Sequence, residues 1–216
     1  MVELVEKNDF VELSFVGKDS DGNVFEQTKG KPVLVVAGVG QVLPGLDEKL
    51  VGSEVGKKTS VVVPKDKAFG DRRTDLVGLV PLASFQKQGV TPQVGQVVEL
   101  DGKRARVQSV AGGRVRVDFN HELAGKDLSY EYTVEKRFSM PQAKLDALSK
   151  DQLFSAPVKL EGESVTVSIG SDKPKDANFI VAKLRFIDFA LRYAGAKKVV
   201  FNEEYALPKE KVHEKG

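Results

Sequence analysis

Residues 31–70 read KPVLVVAGVGQVLPGLDEKLVGSEVGKKTSVVVPKDKAFG, with one strand-like run on either side of a short segment bounded by glycine and proline. The first run, residues 33–36, is apolar and mostly β-branched, which is typical of a strand that is covered on both faces. The second run, residues 57–63, predicts another strand, which Pro64 ends. The pattern therefore predicts two strands with a short connecting element between them.

The connecting element is predicted to be a short helix. Gly38 and Gly40 bracket a loop, and Pro44 suits a first helical turn because its φ is fixed and its missing N–H is not needed there. Leu46 and Leu50 are four residues apart and share one face of the helix, which must lie against a sheet to bury them. We therefore expect a helix laid across a strand pair.

The residues before this region predict a β-hairpin. Val11, Leu13 and Phe15 alternate with polar residues, which is the pattern of a strand with one buried face. Asp21-Gly22 is a strong turn signal, and a returning strand begins at Val24.

Residues 75–119 predict a small β domain. An apolar stretch, LVGLVPLASF, is followed by strands that turn at Asp101-Gly102 and at Gly112-Gly113. Strict alternation places one set of side chains on one face and another set on the opposite face. The first set is Val107, Val115, Val117 and Phe119, and the second is Arg104, Arg106, Arg114 and Arg116.

Four blocks of the sequence resemble the FKBP family of peptidyl-prolyl cis/trans isomerases. The first three are DGNVFEQT (residues 21–28), GVGQVLPGLDEKLVG (38–52) and VPKDKAFGDR (63–72). The fourth, NHELAGKDLSYEYTV (120–134), resembles the last strand of SlyD-type members. The resemblance covers residues 1–138 and implies an α+β fold, in which an antiparallel sheet wraps on a short helix.

The resemblance also implies a domain organisation. Residues 1–74 and 120–138 would form a discontinuous isomerase domain, and residues 75–119 an inserted domain, the insert in the flap. Beyond residue 138, the order of elements resembles the extra C-terminal α+β domain of long archaeal members, which would span residues 139–216.

The implied activity is isomerisation of X–Pro peptide bonds in an apolar cradle. Amide resonance creates a barrier of about 18–20 kcal/mol, and a dry pocket that favours a twisted amide lowers it without metal, cofactor or nucleophile. Carried over by position, the cradle residues are Phe15, Phe25, Glu26, Val33, Val42, Leu43, Leu46, Phe69 and Tyr130. The resemblance places the backbone N–H of Leu43 against the substrate carbonyl. The alternative is that the apolar members of this set form ordinary core.

The sequence departs from the best-known members of the family at several cradle positions. Phe15 and Phe69 stand where tyrosines are common, and Glu26 stands where aspartate is usual. Val33 and Leu46 replace a frequent phenylalanine and tryptophan. The cradle would stay apolar with fewer polar groups, which lowers the expected turnover of small peptides.

In the family, the insert binds unfolded polypeptides. Its apolar residues would supply that surface, and they are Leu76, Val77, Leu79, Val80, Leu82 and Phe85. The alternative is that they form the core of the insert itself. A second functional alternative is a holdase chaperone with little catalysis.

The C-terminal region contains a predicted helix from Asp176 to Tyr193 with apolar residues on two sides. Asp176 is a candidate N-cap, and Gly195 a candidate stop. One stripe consists of Ile180, Leu184, Ile187 and Leu191, and the other of Phe186, Phe189, Ala190 and Tyr193. We expect a homodimer through this domain, or cover by residues 140–154 of the same subunit.

The amino-acid composition narrows the classes of function that remain possible. The 216 residues include no cysteine, which excludes disulfides and thiolate chemistry, and neither His121 nor His213 is assigned to a metal. The N-terminal sequence has no apolar leader, and we expect a cytoplasmic protein without membrane contact. With 33 Lys and Arg against 31 Asp and Glu, the charge is balanced. An RNA- or ribosome-binding role for the arginine residues is the remaining alternative, but we expect no nucleic-acid partner. The charged tail, residues 208–216, is predicted to be disordered.

Overall fold

The computed structural model of the protein describes residues 2–173 and 176–206. Its strands are, in chain order, β1 (Phe10–Lys18), β2 (Val24–Gln27), β3 (Val33–Val36), β4 (Lys58–Val63), β5 (Val77–Pro81), β6 (Val97–Leu100), β7 (Lys103–Ala111), β8 (Arg114–Asp118), β9 (Leu128–Phe138), β10 (Val158–Glu161), β11 (Ser164–Ile169) and β12 (Lys198–Glu203). Its α-helices are α1 (Pro44–Leu50), α2 (Leu82–Lys87), α3 (Pro141–Gln152) and α4 (Ala177–Tyr193). Among these residues, no helix has the length and apolar character needed to cross a membrane. The predicted α+β class is confirmed. The predicted disorder of residues 208–216, and His213, lie outside the described residues.

The sheet around the short helix has the strand order β2-β1-β9-β4, and β3 also pairs with β1. The β1–β3 pair is antiparallel and places Phe10 opposite Val36 and Leu13 opposite Val33. Both strands predicted on either side of the helix are present, but the expectation that they form a pair is wrong. The partner of β3 is β1, which lies before it in the chain, so the residues between 31 and 70 do not specify the pairing.

Helix α1 forms as predicted from its sequence. It starts at Pro44, with Leu43 as the N-cap residue, and ends at Leu50. Leu46 and Leu50 are both buried. Gly52, just after the helix, has a φ of +88°, a conformation that favours glycine.

The described residues group into two compact units. The first takes its residues from Met1–Val16, Glu26–Val61 and Glu131–Gly216, and the second from Gly17–Phe25 and Val62–Tyr130. The three predicted domains are a different division, based on resemblance, and they stay a prediction.

One buried cluster in the first unit joins the N-terminal and C-terminal parts of the chain. Phe10 and Val36 lie in this cluster together with Leu145 and Phe186. The rings of Phe10 and Phe189 meet edge to face, with centroids 6.4 Å apart. The C-terminal residues therefore share a core with β1 and β3.

Helix α4 has the predicted ends. Asp176 accepts a hydrogen bond from the backbone N of Phe179 at 2.9 Å, which caps the helix, and Gly195 follows it with a φ of +75°. Beyond the helix, β12 pairs in parallel with β11, and β10, which was not predicted, pairs antiparallel on the other side of β11. A helical crossover between parallel strands is the ordinary way to connect them.

The two apolar stripes of α4 have different environments. Phe186 and Ala190 are fully buried, whereas Ile180 and Leu184 are 57% and 61% exposed. Helix α3 contacts α4 through the cluster that contains Phe186. The alternative that residues 140–154 of the same subunit cover the second stripe is therefore confirmed for the stripe that contains Phe186 and Ala190, whereas Ile180 and Leu184 stay exposed.

The insert region in the second unit forms an antiparallel sheet in the order β5-β8-β7-β6. As predicted, Val107, Val115 and Val117 share a buried face. Phe119 is partly buried and packs against the same cluster. A register shift between Val107 and Ser109 marks an irregularity in β7.

Candidate active site

The predicted cradle residues are divided between the two units. The first unit contains Phe15, Glu26, Val33, Val42, Leu43 and Leu46, and the second contains Phe25, Phe69 and Tyr130.

Phe15 lies in β1 and is half-buried. Its backbone is held by Thr28, because the N–H of Phe15 donates to Thr28 Oγ1 and the N–H of Thr28 donates to the carbonyl of Phe15, both at 3.1 Å. Phe15, Thr28 and Tyr132 line a cavity of about 260 Å³. Glu26 and Val33, in contrast, are exposed.

The loop that carries Val42 and Leu43 is fixed by two side-chain acceptors. The buried carboxylate of Asp47 accepts hydrogen bonds from Gly38 N at 2.9 Å and Gly40 N at 2.7 Å. Gln41 Oε1 accepts one from Val36 N at 2.5 Å. The sequence analysis did not identify Asp47 or Gln41 as residues that fix this loop. For Asp47 a signal was available, because it is an acidic residue in the first turn of a helix that follows a glycine loop, where backbone N–H groups need acceptors.

Leu43 is half-buried at the start of α1. Its carbonyl accepts hydrogen bonds from Leu46 N and Asp47 N, both at 2.9 Å. Its own backbone N–H makes no hydrogen bond to another residue in the described ranges. The predicted role of this N–H, facing a substrate carbonyl, therefore competes with no internal bond among those residues.

Leu46 is only 2% exposed, so its side chain belongs to the core beneath the loop. The other end of α1 is fixed by polar contacts to the carbonyl of Lys49, which accepts from Ser53 Oγ at 2.6 Å and Tyr132 Oη at 3.1 Å. Val42, Leu43 and Leu46 are thus held together on one fixed helix and its leading loop.

In the second unit, Phe25 and Tyr130 lie in contact. Their rings are perpendicular, with centroids 5.8 Å apart, an arrangement that aromatic pairs prefer. Gly17 is buried beside them, and a Cβ at this position would lie 2.8 Å from Phe25 Cζ and 2.9 Å from Tyr130 Cε1. The aromatic pair therefore requires glycine at position 17, a requirement that the sequence pattern did not indicate.

Phe69 is 37% exposed and stacks on the ring of His121. The two rings are parallel within 2°, and their centroids are 4.1 Å apart. His121 Nδ1 accepts a hydrogen bond from Leu123 N at 3.2 Å, which fixes the orientation of the imidazole. The sequence analysis assigned His121 to no metal and gave it no other role, so its stacking on Phe69 was missed.

The predicted client-binding residues of the insert differ in exposure. Leu79 is 62% exposed, and Leu76, Val77, Val80 and Leu82 are partly buried. Phe85 is 1% exposed and lies in the insert's own core, so its prediction as an exposed binding residue is wrong. The physical reason is that α2 lies on the sheet and Phe85 is the inward residue of that helix.

Comparison with protein families gives two matches. Residues 2–96 match the model of FKBP-type peptidyl-prolyl cis-trans isomerase. Residues 78–123 match the model described as FKBP26, IF domain.

The chain is also similar to curated proteins. It is 30% identical over 155 residues to the short-type peptidyl-prolyl cis-trans isomerase of Methanocaldococcus jannaschii, a match that covers 65% of this chain and 98% of the relative. It is 33% identical over 141 residues to the FKBP-type 16 kDa peptidyl-prolyl cis-trans isomerase of Escherichia coli K12, which covers 62% and 94%. For SlyD of Treponema pallidum the identity is 31% over 129 residues, covering 57% and 73%. The chain therefore belongs to the family of FKBP-type peptidyl-prolyl cis-trans isomerases.

Proposed function

We propose that this protein catalyses the cis/trans isomerisation of X–Pro bonds in unfolded polypeptides, and that its insert binds those polypeptides. Family membership supports the isomerase chemistry. Binding of polypeptides by the insert is supported by one observation, the edge strand β5 of its sheet with the exposed side chain of Leu79.

The chemical step needs an environment that favours the twisted amide over the planar one. Apolar side chains remove water from the carbonyl, whose charge separation stabilises the planar form. A fixed backbone donor can then bind the carbonyl in the twisted state. Leu43 suits this role, because Asp47 and Gln41 fix the loop in front of it.

Strand β5 supports client binding by the insert. It lies at one end of the strand order β5-β8-β7-β6, so one side of its backbone has no neighbouring strand within that sheet. An extended polypeptide can add to such an edge through main-chain hydrogen bonds. Leu79, at the middle of this strand, presents an exposed side chain to the same segment.

Removal of the insert tests the proposal. Phe119 N donates to the carbonyl of Leu76 at 2.9 Å, so the two chain crossings are adjacent and a short Gly/Ser linker can replace residues 75–119. We expect catalysis of protein refolding to fall about ten- to a hundred-fold, the scale of a lost tethering effect. Turnover of a proline tetrapeptide should stay within about three-fold, because small peptides reach the cradle by diffusion.

A point variant gives a milder version of the same test. Leu79→Ser should weaken client binding, whereas Val62→Ser, at a 67% exposed position of β4, serves as the matched control.

If removal of the insert abolishes both refolding catalysis and tetrapeptide turnover, the insert shapes the cradle. The proposal of separate sites for client binding and catalysis would then be wrong. Absence of tetrapeptide turnover in the intact protein would favour the holdase alternative, which the missing hydroxyls at Phe15 and Phe69 motivate.

We also propose that the protein is a homodimer through helix α4. The support is the exposed stripe that contains Ile180, Val181 and Leu184, because large aliphatic side chains in one row on a helix are typical of an interface. A cytoplasmic location stays a prediction.

A further inference from the structure

The outer face of the insert sheet carries a group of exposed arginines, here called the arginine face: Arg104, Arg106, Arg114 and Arg116. They point outward because the alternate residues of β7 and β8 are buried on the inner face. The sheet therefore separates an aliphatic core from a cationic surface.

Aliphatic side chains lie beside these arginines. The register of β5 and β8 places Leu79 opposite Arg116, and that of β6 and β7 places Val97 opposite Arg106. Residues directly opposite each other in an antiparallel pair have side chains on the same face. Leu79 is 62% exposed and Val97 is 45% exposed, so the arginine face offers apolar contact as well as charge.

Among the described residues, only one of the four arginines on this face forms an ion pair, and Glu99 lies opposite Arg104 in the register of β6 and β7. Arg106 forms an ion pair with Glu122 at 2.8 Å and also donates to the carbonyl of Gly95 at 3.3 Å. Arg104, Arg114 and Arg116 form no ion pair with any residue in the described parts of the chain. A binding partner with carboxylates would complement these three guanidinium groups.

A cavity of about 430 Å³ opens on the same face, and its lining includes Val97, Arg104, Arg106 and Phe119. It combines two guanidinium groups with apolar side chains and with the carboxylates of Asp118 and Glu122. A segment that crosses the face can therefore place an apolar side chain there while its neighbouring carboxylates meet the arginines.

We propose that the arginine face selects unfolded segments in which acidic residues lie next to aliphatic ones. The inference rests on the proposed function and names the substrate class of the insert. Exposed ion pairs contribute little individually, so three of them supply a preference of about ten-fold over neutral segments.

The observations favour a polypeptide over RNA. Single-stranded RNA is held by bases that stack on aromatic side chains, whereas Leu79 and Val97, directly opposite two of the arginines, are aliphatic, and Phe119 packs against the core of the insert. The whole chain carries a formal charge of only +2.

Fluorescence anisotropy with the full chain tests the proposal. The probes are three labelled peptides with the same leucine, valine and proline residues, in which the flanking positions are all glutamate, all glutamine or all lysine. We expect the glutamate peptide to bind about ten-fold more tightly than the glutamine peptide, with the lysine peptide weakest. The difference should shrink several-fold when the salt rises from about 50 mM to about 500 mM.

A charge reversal and a matched control locate the effect. Arg114→Glu combined with Arg116→Glu should reverse the order, so that the lysine peptide binds better than the glutamate peptide. Lys87→Glu combined with Lys198→Glu makes the same change in net charge at exposed positions of α2 and β12, which do not belong to the arginine face, and should preserve the order. Proline tetrapeptide turnover should be unchanged in both double variants.

The outcomes distinguish the proposed client binding by the insert from the proposed acidic preference of the arginine face. Equal binding of all three peptides would overturn the acidic preference and leave client binding by the insert intact. No binding of any peptide would overturn both. Submicromolar, salt-sensitive binding of a single-stranded oligouridylate that displaces the glutamate peptide would assign the face to RNA and refute the inference.

Discussion

Substitution of Gly17 by alanine tests whether Phe25 and Tyr130 form part of the cradle. An alanine Cβ would lie 2.8 Å from Phe25 Cζ and 2.9 Å from Tyr130 Cε1, whereas ordinary contacts are 3.4–4 Å. Relief of both overlaps requires the ring of Phe25 to move by about 0.6 Å or more and that of Tyr130 by about 0.5 Å or more. The variant therefore displaces two predicted cradle rings without removing either of them.

The expected effects follow from the size of this displacement. Overpacking of a buried site by one methyl group costs about 1–3 kcal/mol of folding free energy. A shift of about 1 Å at a site that positions a substrate can lower the rate up to about a hundred-fold. We expect Gly17→Ala to reduce tetrapeptide turnover about ten- to a hundred-fold while the protein still folds cooperatively.

A protease-coupled assay on a proline tetrapeptide measures the turnover, and thermal unfolding measures the stability. Gly78→Ala is the matched control, because no atom lies within 4 Å of its added Cβ. Gly17→Ala combined with Phe25→Leu should recover stability, since the smaller side chain makes room, but not turnover. If Gly17→Ala alone keeps turnover within about two-fold of the parent, or if the double variant restores it, the aromatic pair is not part of the cradle.

Three further predictions concern other parts of the chain. Phe69→Tyr should raise tetrapeptide turnover several-fold if the missing hydroxyl limits the rate, with client binding unchanged; an unchanged rate would exclude that explanation. Leu184→Asp should convert the proposed dimer to a folded monomer in light scattering, while the neighbouring exposed Arg185→Asp should not; a monomeric parent protein would refute the dimer. A hydrogen bond from Lys126 lowers the pKa of Asp19 from 3.8 to about 2, so the unfolded chain binds more protons between these values and stability should fall as the pH drops through this window. Asp19→Asn should make that fall shallower, and an identical acid profile would contradict the assignment.

The sequence predicts best those elements whose signals are local. Pro44 and Gly52 mark the ends of α1, and Asp176 and Gly195 mark those of α4. In each case the residue type determines the backbone conformation within one turn of its own position. Alternation in the insert likewise separates the valines from the arginines, because side chains in a strand point to opposite faces in turn.

Features that depend on distant partners were not predictable in the same way. The pairing of β3 with β1 and the packing of Phe10 on Phe189 join residues far apart in the chain. Phe85 belongs to an apolar run without a period, so nothing in the run distinguishes an inward residue from an outward one. The cradle residues were identified through family resemblance, and their individual roles stay predictions.

Hydrogen bonds at the base of the insert hold the two segments that connect it to the rest of the chain. They therefore affect how far a client bound to the insert can move from Phe69. Asn120 Oδ1 accepts from Arg73 N at 2.9 Å and its Nδ2 donates to the carbonyl of Arg73 at 2.8 Å, so one amide clamps both connecting segments. The buried carboxylate of Asp118 accepts from Asn120 N and from Gln108 Nε2. His121, the next residue after Asn120, stacks on Phe69.

The segment that fixes the base of the insert thus also carries the histidine against Phe69. A flexible tether dilutes its ligand over the volume that the linker can reach, whereas a clamped connection confines the ligand to a narrower one. The effective concentration of a client proline near Phe69 should therefore exceed that expected for a Gly/Ser tether of the same length. The role of Asn120 could not be predicted from the sequence, because an asparagine beside a turn is expected in any loop. Only the hydrogen bonds between its amide and the backbone of Arg73 show that it joins two segments.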